Sequence, residues 1–200
     1  MSRSTDPQGD ATAVRPLRAD AQRNRDQLVE AAAVLFEQRG IDVSLEEVAR
    51  RAQVGIGTLY RHFPTRDALL VATTRRSVEQ LCDDATALLA QHPPLVALRM
   101  WGQAFADYVT RKRSVAGALK ALVGSDAELF RDSHRRLDAA ITSLIEAGRR
   151  AGDIRTEVAP MDLLRAMSGI CNAGVDPGYP ERAAQLVDLL IDGLHLRAMP

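Results

Sequence analysis

Between Ser44 and Arg66 the chain reads S-L-E-E-V-A-R-R-A-Q-V-G-I-G-T-L-Y-R-H-F-P-T-R. The side chains with chemical potential here are hydroxyls, a phenol, an imidazole and guanidinium groups, with two glycines among them. Their spacing offers noncovalent chemistry. Hydroxyl and guanidinium donors suit phosphate oxygens, and a planar guanidinium matches the O6 and N7 acceptors of guanine. Gly55 and Gly57 let a backbone approach a groove closely, although each weakens a helix by about 1 kcal/mol relative to Ala. Thr58 can donate to a phosphate or touch a thymine methyl. Arg61 is the candidate for a bidentate contact with guanine, and Ile56 for packing on a thymine methyl. Ser44 can present its hydroxyl and a helix N-terminus to a phosphate. Leu59 and Phe63 are expected in the core, because so short a helix must be anchored.

The elements that must hold these residues are helices. Leu28, Ala31, Ala32, Leu35 and Phe36 recur at helical spacing, and Gly40 is placed to end that helix. Ser44 reads as an N-cap with Glu47 completing a capping box. Leu45, Val48, Ala49 and Ala52 then form the apolar face of a short second helix. A turn at Val54-Gly55 leads to a third helix over residues 56–62, which Phe63-Pro64 ends. Thr65 caps a long fourth helix to about Ala90, broken by His92-Pro93-Pro94. A fifth starts near Leu95, and a shorter one is expected from Val115 to Val123. Another long helix covers Asp126 to Ala151, where Gly152 stops it. Pro160 opens one through about Ala173, and a last runs from Pro180 or Glu181 to about Arg197. The fold class is all-α, with about nine helices. Residues 1–19 are expected to form a disordered arm, 20–66 a helix-turn-helix unit, and 67–200 a second, larger helical unit.

Composition sets bounds on function. Formal net charge is zero over 200 residues, so any attraction to phosphate must be local. The arginines that close the arm, Arg15, Arg18, Arg23 and Arg25, fit either a solvated tail or an arm that contacts DNA. Cys82 and Cys171 form neither a CxxC pair nor a zinc pattern, and free buried thiols are expected. No apolar run reaches the length of a membrane span and no signal h-region is present, so a soluble, cytoplasmic protein is expected. There is no HExxH, GxSxG, P-loop or Rossmann glycine pattern, and neither a catalytic residue nor a cofactor is expected. Asp126, Glu128, Asp132 and His134 cluster in sequence, but an acid-rich helix start accounts for the carboxylates equally well, and no metal is expected.

Residues 20–72 resemble the TetR family of bacterial transcriptional regulators. The matching positions are Arg25, Leu28, Ala31-Ala32, Leu35-Phe36 and Gly40, then Ser44 to Ala52. They continue with Val54-Gly55, Gly57-Thr58-Leu59-Tyr60, His62-Phe63 and Arg66-Asp67-Ala68-Leu69. The segment from Trp101 to Leu122 also resembles an actinobacterial-type subgroup of the family's C-terminal domains. The resemblance implies a homodimer that binds a palindromic operator in double-stranded DNA and is released by a small-molecule effector. It also implies that Tyr60 and His62 contact the DNA backbone. Arg66 stands where the family usually has Lys, and keeps the charge expected to grip a phosphate.

For the larger unit, Met100, Trp101, Phe105, Tyr108, Phe130 and Met167 are candidates to line an apolar effector cavity; ordinary core is the competing reading. Leu163, Met167, Ile170, Leu186, Leu189, Leu190 and Leu194 lie on the last two helices. The resemblance implies that these helices meet their copies in a four-helix dimer interface, while the same stripes also suit the subunit's own core.

Overall fold

The computed structural model describes residues 11–115, 127–174 and 176–195, with side chains from residue 19 onward except at 114 and 127–130. Eight α-helices occur among the described residues: α1 (Ala11–Arg39), α2 (Leu45–Arg51), α3 (Ile56–His62), α4 (Arg66–Gln91), α5 (Pro94–Arg111), α6 (Ala127–Ala151), α7 (Pro160–Ala173) and α8 (Tyr179–Asp192). The all-α expectation holds. A 3-10 turn, Lys112–Val115, follows α5. The helix expected from Val115 to Val123 falls almost wholly outside the described residues.

Two boundaries differ from the sequence reading. Helix α1 begins at Ala11, eight residues inside the segment expected to be an arm. Helix α8 stops at Asp192 rather than near Arg197. There the chain turns through Gly193, so that Leu194 accepts a hydrogen bond from Arg155 N–H at 3.1 Å and His195 pairs with Ile154. That tie to the loop after α6 draws the backbone out of the helix.

The helix ends follow local chemistry. Gly40 and Gly152 take φ of 78° and 77°, the left-handed conformation that favours glycine at a C-cap. Ser44 Oγ accepts from the Glu47 N–H at 3.2 Å, and Thr65 Oγ1 from the Ala68 N–H at 3.1 Å. The capping box is only half formed, however. The Glu47 carboxylate turns away from the Ser44 backbone to pair with Arg39 of α1. It therefore ties two helices together instead of closing its own cap.

The interior divides into two clusters. The first joins α1, α2 and α3 through Leu28, Leu35, Phe36, Val48, Leu59 and Phe63, and takes in Leu69, Leu70 and Ala72 of α4 and Val115 of the 3-10 turn. The second joins α4 to α8 around Trp101, Phe105, Ile141, Leu144, Met167 and Ile191. Helix α4 serves both, so it couples them mechanically. Gly102 lets α5 and α8 close together: a Cβ there would lie 2.6 Å from Ile191 Cδ1, nearer than atoms can approach. Arg99 fastens the same pair of helices from outside, reaching Asp188 at 3.6 Å and pairing with Asp192.

Candidate nucleic-acid interface

Helix α3 has seven residues and two faces. Leu59 is fully buried and Phe63, its C-cap, is 3% exposed, so both anchor it as expected. Ile56, Gly57, Tyr60 and Arg61 are exposed, with Thr58 and His62 half-buried beside them. Positions i, i+1, i+4 and i+5 lie on one side of a helix, so these four side chains share a surface. Tyr60 is 45% and Ile56 39% exposed, and large hydrophobic groups turned to water at the centre of a polar face suit an external partner.

In the turn before α3 the left-handed residue is Gln53, with φ of 56°. Gly55 is the N-cap of α3 in extended conformation, with nothing within 4 Å of a Cβ placed there. Neither the backbone nor the packing requires glycine at that position. Gly57 is similar: a Cβ would meet only Arg61 Nη2, at 3.9 Å. The two glycines leave the surface low without serving the fold.

Charge around the motif is positive. Between Ser44 and Arg66 there are four arginines, at 50, 51, 61 and 66, against two glutamates, at 46 and 47. Glu47 is drawn toward Arg39 and lies 3.8 Å from Arg50. Arg25 stacks over the Phe63 ring at 5.5 Å, which binds α1 to the end of α3. Ser44 is exposed at the N-terminus of α2 and keeps its hydroxyl proton free while its oxygen caps the helix.

Arg66, expected to grip a phosphate, also has a structural task. Its Nη1 donates to the carbonyls of Ile41 and Val43, so half-buried Arg66 ties the α1–α2 loop to the start of α4. One guanidinium nitrogen carries two N–H groups, so Nη1 serves both carbonyls.

Of the candidates for a cavity lining in the larger unit, Trp101, Phe105 and Met167 follow the competing reading and pack into the core. Trp101 is fully buried, stacks on Phe105 at 5.5 Å and donates Nε1–H to the Leu81 carbonyl at 2.8 Å. Phe105 and Met167 are packed into the same cluster, while Met100 is 40% exposed. The Phe130 side chain lies outside the described residues. Tyr108 borders an open space, a cavity of about 850 Å³ between α1, α4 and α5. Its walls are largely polar, with Arg25, Glu30, Arg76 and Gln80 among them. Sequence periodicity could not have revealed this space, which arises where α1 crosses α4.

The last two helices divide their leucines. Leu163, Met167 and Leu194 fill the subunit's own core, and Ile170 and Leu190 are half-buried against it. Leu186 is 43% and Leu189 67% exposed. Asp132 is held by Arg135 at 3.2 Å and Arg136 at 2.8 Å, which keep its carboxyl below the usual range, the Arg136 hydrogen bond foremost. The Asp126 and Glu128 side chains lie outside the described residues. Among the described residues no helix is long and apolar enough to cross a membrane.

A three-helix unit with a short, polar, solvent-facing third helix behind a capped second helix defines a helix-turn-helix DNA-binding protein. Comparison with known proteins agrees over both helical units. Residues 28–73 match the model of bacterial regulatory proteins of the TetR family, and residues 93–196 match the C-terminal domain of SbtR-like transcriptional regulators. This chain belongs to the TetR family of transcriptional regulators. It is similar to a TetR transcriptional regulator from Streptomyces coelicolor, with 42% identity and a TM-score of 0.78 over 87% of this chain and 99% of that one. A TetR regulatory protein from Mycobacterium vanbaalenii is 34% identical, with a TM-score of 0.68 over 90% of this chain and all of that one. An HTH-type transcriptional regulator of Staphylococcus aureus is 34% identical over 64 residues, which are 32% of this chain and 35% of that protein.

Proposed function

We propose that this protein is a cytoplasmic, non-catalytic repressor that binds a palindromic operator as a homodimer and is released by a small molecule. The observation that carries this reading is the outward face of α3, where Ile56, Gly57, Tyr60 and Arg61 are exposed together over a buried Leu59. Arg61 and Ile56 read base edges. Ser44, Thr58, Tyr60 and His62 grip the backbone, and Arg66 holds the loop from which that grip is made. Two such helices on one dimer would sit in successive major grooves, about 34–36 Å or a multiple of a turn apart. Leu186 and Leu189, exposed on α8, support pairing with a second copy.

Effector release follows from the same arrangement. A ligand that binds one spacing of the recognition helices more tightly than the other shifts the population. Footprinting upstream of the protein's own gene tests the operator: a protected palindrome at moderate salt is expected, and its absence argues against autoregulation.

A second reading has its own support. Trp101 and Phe105, named as candidate cavity lining, are packed core, as in a regulator that acts without a small molecule. Thermal-shift screening separates the two. A compound that both stabilises the protein and releases operator DNA supports the repressor, and a filled core with no ligand-dependent release supports the alternative.

A further inference from the structure

Besides α4, the 3-10 turn Lys112–Val115 brings the effector half against the DNA-binding half. It continues directly from α5, and Val115, 5% exposed, packs into the N-terminal cluster with Phe36 and Leu70. Lys112 enters the interior with it. Its Nζ is buried and has no hydrogen-bond partner among the described residues. The ammonium group lies 4.5 Å from the centre of the Tyr108 ring.

Apart from the face of the Tyr108 ring, which favours the cation, the groups around Lys112 do little for a charge. Helix α1 contributes Ala33, Phe36 and Glu37, of which only Glu37 is ionisable. Helix α4 contributes Leu70 and the hydroxyls of Thr73, Thr74 and Ser77. These donate to α4's own carbonyls, at 2.8 Å and 2.9 Å to Leu70 O and 3.0 Å to Thr73 O. Helix α5 contributes Arg111, a like charge, and Tyr108, whose phenol is pushed up to about 12 by burial and so stays neutral. A charged ammonium in such a place forfeits its hydration without gaining donors' acceptors in exchange.

We propose that Lys112 is a proton-operated latch: the turn seats fully in the DNA-binding core when the amine is neutral, and protonation loosens it. Seating fixes α5 against α1, so the latch sets how firmly the DNA-binding helices follow the effector half. Burial brings the Lys112 amine down to about 7, with Glu37 partly opposing that fall. A released lysine titrates near its ordinary value of 10.5. Between these limits the released form holds a proton that the seated form lacks. Seating therefore strengthens by about tenfold per pH unit as pH rises from 7, and is weakest and constant below it.

Hydrogen exchange of the full-length protein, corrected for intrinsic rates, tests this at the Tyr108–Val115 amides. Urea distinguishes local opening from global unfolding, because only the latter exposes much surface. The expected result is a urea-insensitive opening whose protection rises about 50-fold between pH 7 and 9. Lys112→Met keeps the packing and should flatten the dependence, while Lys112→Arg should be flat and poorly protected. The proposal is overturned if protection in the native protein is independent of pH, if opening occurs only through urea-sensitive unfolding, or if Lys112→Met keeps the slope. Should either variant fail to fold, the native protein's slope and urea response decide alone.

Discussion

Beyond the adjoining residues and the helix's own backbone, Arg61 Nη2 is the nearest atom to a methyl group built on Gly57, and it stands 3.9 Å away. Gly57 therefore has room for a side chain, in a helix where glycine is unfavourable. Gly57→Ala should stabilise the folded protein by up to about 1 kcal/mol. The added methyl would project from the surface assigned to the groove, so operator affinity should fall. Urea unfolding and fluorescence anisotropy on the same samples give both values. A variant that is more stable yet binds operator as well as the parent would remove Gly57 from the interface.

Arg66 joins two carbonyls, of Ile41 and Val43, to the first turn of α4. Arg66→Ala leaves those acceptors without their charged donor and should cost about 1.5–3 kcal/mol of stability. Arg66→Lys keeps the charge but not the planar geometry of the guanidinium and should recover only part of the loss. Denaturant midpoints measure the series, and a Lys variant as stable as the native protein would contradict this.

Lys112 gives stability a pH dependence of known sign. Its folded-state value, about 7, lies below the ordinary 10.5. The unfolded chain thus binds more protons between these limits, and stability rises with pH across that window and is flat below it on this account. Subtracting the Lys112→Met profile from the native profile isolates this contribution. A difference that falls with rising pH would have the wrong sign.

Leu186 and Leu189 differ from their neighbours on α8 in facing water, whereas Val187 and Ile191 are fully buried. A Leu186→Asp, Leu189→Asp double variant should leave the subunit folded and shift it from dimer to monomer. Sedimentation beside circular dichroism reads both. A folded double variant that remains dimeric would place the interface elsewhere.

What the sequence made legible was local. The caps at Ser44 and Thr65, the stop at Gly152 and the anchoring of α3 by Leu59 and Phe63 depend on residues within a few positions of one another. Relations between distant segments were not legible. Glu47 has the right spacing for a capping box, yet Arg39 on another helix captures its carboxylate. Trp101 and Phe105 have the composition of a pocket, but whether an aromatic lines a space or fills it depends on what α4 brings opposite, here the Leu81 carbonyl. Arg66 reads as a phosphate ligand, and nothing in its spacing announces the tie that its guanidinium also makes to the α1–α2 loop. The cavity between α1, α4 and α5 has no periodic signature, because three helices contribute to it separately.

The central claim is that the exposed face of α3 reads DNA sequence and that Arg61 does most of the reading. Operator affinity measured for a set of single base-pair substitutions, with the native protein and with Arg61→Ala, tests it most directly. The account predicts that the variant loses preference at one base pair in each half-site, a change of about 1–3 kcal/mol there, with the other positions discriminated as before. Identical base preferences in the two proteins would contradict it.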